Sequence, residues 1–101
     1  MYLARFYLPL QDNDGTAFPA AMFKDIETEL SQRFGGVTAH LEAPASGRWR
    51  DGGETHSDEV VIFEVLSSTI DRDWWQRYRE RLERDFRQKR ILIVLQQVEV
   101  V

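Results

Sequence analysis

A chain of 101 residues, 43% hydrophobic and 30% charged with no cysteine, has the composition of one compact domain with a single core. It excludes disulfides, thiolate catalysis and zinc-thiolate or iron–sulfur centres. The 13 basic and 17 acidic side chains leave a net charge of −4, which disfavours a sequence-independent grip on nucleic acid or on an anionic membrane surface.

The start, Met1-Tyr2-Leu3-Ala4-Arg5, has no basic segment leading into an apolar stretch, and the longest aliphatic run, Ile91 to Leu95, is far short of a span. The expectation is a soluble, cytoplasmic protein. Residues 2–10 are aromatic and aliphatic with one charge and predict a strand near a sheet centre, closed by Pro9. Asp12-Asn13-Asp14-Gly15-Thr16 is a turn cluster, and Pro19 suits the first turn of a helix. Phe18, Met22, Ile26, Leu30 and Phe34 then recur at four-residue steps, with Lys24, Asp25, Glu27 and Glu29 on the other face. That spacing predicts an amphipathic helix, with Gly35-Gly36 as its left-handed exit. Residues 37–42 alternate as a half-buried strand.

The segment 43–58 holds Pro44, Gly47, Gly52 and Gly53 and shows no usable periodicity, so it reads as a long loop of the kind that more often serves function than connection. Residues 59–66 predict a strand buried on at least one face. Asp71 or Thr69 can cap a second helix, whose apolar stripe takes Trp74 or Trp75, then Tyr78, Leu82 and Phe86. Asp73 with Arg77, Glu80 with Arg84 and Glu83 with Arg87 stand at i,i+4 spacing. The adjacent tryptophans cannot both point inward, so one is expected to cap an interface. Residues 91–100 predict the last strand.

The order is β-α-β-β-α-β in a single domain, residues 1–101. By right-handed crossover it folds into a ferredoxin-like α+β domain: a four-stranded antiparallel sheet of order 4-1-3-2 with both helices on one face. The other face must then meet solvent, a ligand or a partner. Alternation places Arg5 and Tyr7 there, with Thr38, His40 and Glu42 from the second strand. Val60, Ile62, Glu64 and Leu66 join from the third, and Gln96 or Gln97 from the fourth. Such a mixture is too apolar for simple solvation and suits self-association or ligand binding.

Arg5 and Glu64, on neighbouring strands, are placed for a charge-assisted bond, either beneath a ligand or inside an interface. Arg48-Trp49-Arg50, with glycines on both sides, can close on an anionic or aromatic ligand, because guanidinium forks take carboxylate or phosphate and indole stacks. Equally, Trp49 can pin the segment to its own domain or to a neighbouring subunit. His40, Glu42, His56 and Asp58 can be drawn as a metal set, but their spacing is generic, and no metal or cofactor is assigned. Residues 71–90 carry an excess of three positive charges, read as a solvated, salt-bridged helix face rather than a nucleic-acid surface. No phosphate loop, dinucleotide fingerprint or nucleophile elbow occurs.

Phe34-Gly35-Gly36-Val37-Thr38 followed by Gly47-Arg48-Trp49, with Trp75 and Phe86-Arg87-Gln88, resembles a group of small bacterial proteins that carries no assigned activity. More distantly, Gly36-Val37-Thr38 entering a strand ahead of a long loop is similar to the PII-like signalling domains. That resemblance implies a trimer using the loop and intersubunit clefts for nucleotide and partner binding. Gln88-Lys89-Arg90 stands where that family has its glycine-rich phosphate loop, so nucleotide binding is not carried over. The layout also resembles the dimeric α+β barrels, which include cofactor-independent oxygenases.

The leading expectation is a homodimer or homotrimer that binds a small anionic or aromatic ligand, or a partner, through Arg5, Tyr7, His40, Arg48, Trp49, Arg50 and Glu64. The alternative is a cofactor-free enzyme of the dimeric α+β-barrel type. There His40 would be general base, since imidazole exchanges protons near neutral pH, and Arg5 or Tyr7 would orient the substrate.

Overall fold

The computed structural model describes residues 1–42, 48–51, 54–57 and 59–101, the side chains of 41–42, 48–51 and 54–57 excepted. The elements are β1 (Tyr2–Pro9), α1 (Ala20–Phe34), β2 (Thr38–Glu42), β3 (Arg48–Asp51), β4 (Glu54–Ser57), β5 (Val60–Ser67), α2 (Arg72–Asp85) and β6 (Ile93–Gln97). Four strands form one antiparallel sheet in the order β2-β5-β1-β6, which is the expected 4-1-3-2 arrangement.

Along β1 the side chains alternate, with Ala4, Phe6 and Leu8 buried and Leu3, Arg5 and Tyr7 on the opposite face. After β1 the chain turns on Asp12, whose Oδ1 accepts the N–H groups of Asp14 and Thr16 at 2.9 Å each. Gly15 supplies the positive φ, +83°, that this turn requires. Helix α1 buries Ile26 and Leu30 and stops at Gly35, where φ is +82° and the N–H bonds the Ser31 carbonyl. Asp71 caps α2 by accepting the Trp74 N–H at 3.0 Å, resolving the choice between Asp71 and Thr69.

Both helices cover one face of the sheet. The core joins Phe6, Leu8, Phe63 and Val65 from the strands to Ile26 and Leu30 of α1 and Trp75, Tyr78 and Leu82 of α2. Phe6 and Phe63 stack across β1 and β5 at 5.2 Å, with the Trp75 and Tyr78 rings tilted against Phe6. Each buried aromatic ring contributes roughly 1.5–3 kcal/mol by leaving water.

Two sequence expectations change, and the packing of Trp74 is defined. The segment 43–58 contains a hairpin, with Arg48–Asp51 paired to Glu54–Ser57 in a separate two-stranded sheet. The signal was Gly52-Gly53, a dipeptide suited to two-residue hairpin turns between two short strands. Trp74, the tryptophan left off the core, packs in part against its own chain. It is half-buried, stacks on Tyr78 at 4.9 Å, meets Phe34 edge-on, and carries the Arg33 guanidinium 4.3 Å above its ring. The i,i+4 pair Glu83/Arg87 gives way to tertiary bonds, Glu83 accepting the Ile91 N–H at 2.9 Å and Arg87 reaching Asp12 at 3.2 Å. Arg81 instead bridges the helices through Glu29 and also meets Asp85 at i,i+4 spacing.

Candidate functional site

The open face is read directly from the register. One row across it runs Thr38, Glu64, Arg5, Val94; the next runs His40, Ile62, Tyr7; a third runs Leu66, Leu3, Gln96. Directly opposed positions on adjacent strands lie about 4.5–5.5 Å apart at Cβ, so each row is a line of neighbouring side chains. Of the glutamines proposed for this face in the last strand, Gln96 is the one that shares it.

Glu64 sits at the centre. Its Oε2 accepts from Arg5 Nη2 at 2.9 Å and Nε at 3.2 Å, and its Oε1 lies 3.1 Å from His40 Nε2. The carboxylate is thus clasped from both sides, by β1 in its own row and by β2 diagonally from the row below. The cluster is half-exposed, with side-chain exposures of 36% for Arg5, 26% for Glu64 and 40% for His40. The hydrogen bonds from Arg5 hold the Glu64 carboxyl below its ordinary range against the opposing effect of burial, and His40 adds to the lowering. Reciprocally, the bond to Glu64 and its charge raise the Arg5 guanidinium. Ile62, flanked by His40 and Tyr7, is 9% exposed although it lies on the open face.

A groove of about 580 Å³ opens beside this cluster, lined by Leu3, Phe34, Gly35, Gly36, Val37, Thr38, Glu64 and Leu66. It lies where α1 hands over to β2, and a side chain at Gly35 or Gly36 would meet nothing within 4 Å, so that wall is open. A smaller groove of about 280 Å³ touches His40, together with Leu10, Ala20, Phe23, Glu27, Ala39 and Val61. Among the described residues these grooves are separate, and neither contains Arg5, Glu64 and His40 together. A further groove of about 520 Å³ separates α1 from α2, but its Glu29, Arg81 and Asp85 already pair with one another.

Of the candidate residues named from the sequence, Arg5, Tyr7, His40 and Glu64 share one face and three of them bond. Arg48, Trp49 and Arg50 belong to β3, and their side chains lie outside the described residues, as do those of Glu42, His56 and Asp58. Sequence reasoning missed Leu3 and the Phe34-Gly35-Gly36 corner as groove walls. Leu3 was legible as the next odd position of β1, whereas the corner reads locally as nothing more than a helix end.

No family model matches the chain, and no curated protein matches it. Among solved structures it is similar to a phage SAM lyase in complex with S-methyl-5'-thioadenosine, with a TM-score of 0.68 and 15% identity over 95% of this chain and 80% of that one. It is similar also to a phage SAM lyase in the apo state, with a TM-score of 0.62 and 14% identity over 94% and 78%. At such identity the likeness is one of fold alone, a small α+β fold. Among the described residues no helix is long and apolar enough to cross a membrane.

Proposed function

We propose that the protein is a homo-oligomeric small-ligand-binding module whose ligand sits on the open sheet face against Glu64. The observation that carries this is the groove of about 580 Å³ whose lining includes Glu64, a residue whose carboxylate Arg5 and His40 hold in place. Its volume falls in the range of small-molecule sites, roughly 300–1,000 Å³. Leu3, Phe34, Val37 and Leu66 suit a flat or aliphatic part of the ligand, while Thr38 and Glu64 offer polar groups in the same lining. The solved neighbour that holds S-methyl-5'-thioadenosine, an aromatic base joined to hydroxyls and a methylthio group, supports a ligand of that mixed character. Arg48, Trp49 and Arg50 are proposed as a second contact on sequence grounds.

The test is titration of S-methyl-5'-thioadenosine and a panel of aromatic acids and nucleotides, followed by tryptophan fluorescence. Phe34, which lines the groove, packs on both Trp74 and Trp75, so occupancy is communicated to the indoles. A saturable response in the wild type, weakened about tenfold in Glu64→Gln (about 1.4 kcal/mol) and also weakened in Trp49→Ala, is expected. No saturable response across the panel, or equal affinities in wild type and Glu64→Gln, overturns the site.

A second reading, a cofactor-free enzyme with His40 as general base, is favoured by the 3.1 Å contact between His40 Nε2 and Glu64 Oε1 in a fold shared with a lyase. It requires a second subunit to enclose the cluster. The two readings separate by turnover: conversion of a bound ligand that His40→Gln abolishes while leaving affinity intact belongs to the enzyme, and unchanged ligand belongs to the binding module.

A further inference from the structure

Strand β6 is an edge of the sheet, paired with β1 on one side. From Ile91 to Val98 the chain has no charge, proline or glycine, the devices by which sheet edges are ordinarily kept from pairing with another chain. Leu92, Val94 and Val100 are exposed at 57%, 37% and 57%. The opposite edge strand, β2, contains His40 and Glu42 and is followed by Pro44.

The hydrogen-bonding phase of β6 is set by its ladder with β1. Val98 donates its N–H to the Met1 carbonyl at 2.9 Å, in the same register as Tyr2 opposite Gln97 and Leu3 opposite Gln96. Because antiparallel pairs alternate, Val94 and Gln96 bond inward to β1, whereas Ile93, Leu95 and Gln97 direct their N–H and C=O groups to the outer edge. The charges flanking the strand are opposite in sign, Lys89 and Arg90 before it and Glu99 after it.

We infer that two copies of the chain join antiparallel through β6, with the two-fold axis at Val94, to make one continuous eight-stranded sheet. In that register Val94 meets its own counterpart, Ile93 forms a hydrogen-bonded pair with Leu95 of the partner subunit, and the basic flank at Lys89 and Arg90 lies at the same end as Glu99 of the partner subunit. An antiparallel two-fold brings each basic end against an acidic end, whereas a parallel pairing sets like charges together. The helices of both copies then lie on one side, and both Arg5–Glu64–His40 clusters on the other. The inference deepens the self-association in the proposed function without using the ligand.

Sedimentation velocity on the full chain at tens of micromolar tests it. A dimer is expected for the wild type, a monomer for Val94→Lys, which sets two ammonium groups face to face on the axis, and a monomer for Gln97→Pro, which removes an outward N–H alone. Leu66→Lys, on the open face away from β6, is expected to remain dimeric. Lys89→Glu is expected to weaken the dimer and the double exchange Lys89→Glu with Glu99→Lys to restore it. Circular dichroism checks that each variant is folded; if both β6 variants unfold, the charge exchange decides. A monomeric wild type overturns self-association altogether. A dimer kept by Val94→Lys and lost in Leu66→Lys, or a charge exchange without rescue, overturns the β6 assignment while leaving the ligand site standing.

Discussion

Glu64 accepts hydrogen bonds from two different strands, and that sharing makes its protonation a stability event. Its carboxyl is held below the ordinary value of 4.5, chiefly by Arg5. A lowered folded pKa means that the stabilisation is present above the unfolded value and is lost as pH falls through the folded one. Wild type is therefore expected to lose more stability than Glu64→Gln on acidification below about pH 4.5. Urea midpoints measured at pH 7 and pH 3 check this: the gap between the two proteins should shrink at the lower pH, and a constant gap counts against the cluster. Asp12 acts in the same direction, its carboxyl lowered first by the Thr16 N–H and more weakly by Arg87.

Arg87 is a second residue whose backbone matters more than its chemistry. It has φ of +52°, the left-handed position just past α2, and Gln88 donates to the Glu83 carbonyl beyond it at 2.9 Å. Glycine is favoured at such a site, and a residue with a Cβ is strained there by roughly 1–2 kcal/mol. Arg87→Gly should therefore be about 1 kcal/mol more stable than Arg87→Ala, since both lose the Asp12 contact and only one loses the strain. Chemical denaturation of the two variants reads the difference directly.

At the scale of elements, the two helices are held differently. Helix α1 begins after Pro19 without a side-chain cap, while α2 is capped by Asp71 and carries the larger share of the aromatic core. Asp71→Ala should cost about 1 kcal/mol, which for a domain of this size lowers the thermal midpoint by roughly 4–8 °C. An unchanged midpoint in calorimetry would show that packing of Trp75, Tyr78 and Leu82 alone sets the start of α2. The passage from α2 to β6 depends on Glu83, whose side chain accepts the Ile91 N–H and so aims the last strand at the sheet.

For the whole molecule, the sheet divides into a protected centre and two thinner edges. Phe6 and Phe63 are fully buried and stacked, in the two strands that each pair on both sides. Amide hydrogen exchange should accordingly be slowest in β1 and β5 and faster in β2, because local opening follows the density of buried contacts. Exchange in β6 reports on self-association: pairing of two copies should slow Ile93, Leu95 and Gln97 in a concentration-dependent way and leave Val94 and Gln96 unaffected. Equal exchange along β6 at all concentrations would argue for a free edge.

The element order, the sheet order and the division of β1 into a core face and an open face were already written in local patterns, because periods of two and of about four residues depend on neighbours along the chain. The membership of Arg5, Tyr7, His40 and Glu64 in one face followed from the same alternation. Which of them would touch did not, since the Arg5–Glu64 bond and the diagonal reach of His40 exist only in the register that β1, β5 and β2 adopt together. Trp74 shows the same limit: helical spacing leaves no room for two adjacent inward tryptophans, yet Phe34, Tyr78 and Arg33 come together from two helices to cover the second. Tertiary structure likewise decided that Glu83 bonds Ile91 rather than its helical neighbour. The reason is common to all three. A side chain's partner across space depends on how distant segments register, and distance along the chain carries no record of it.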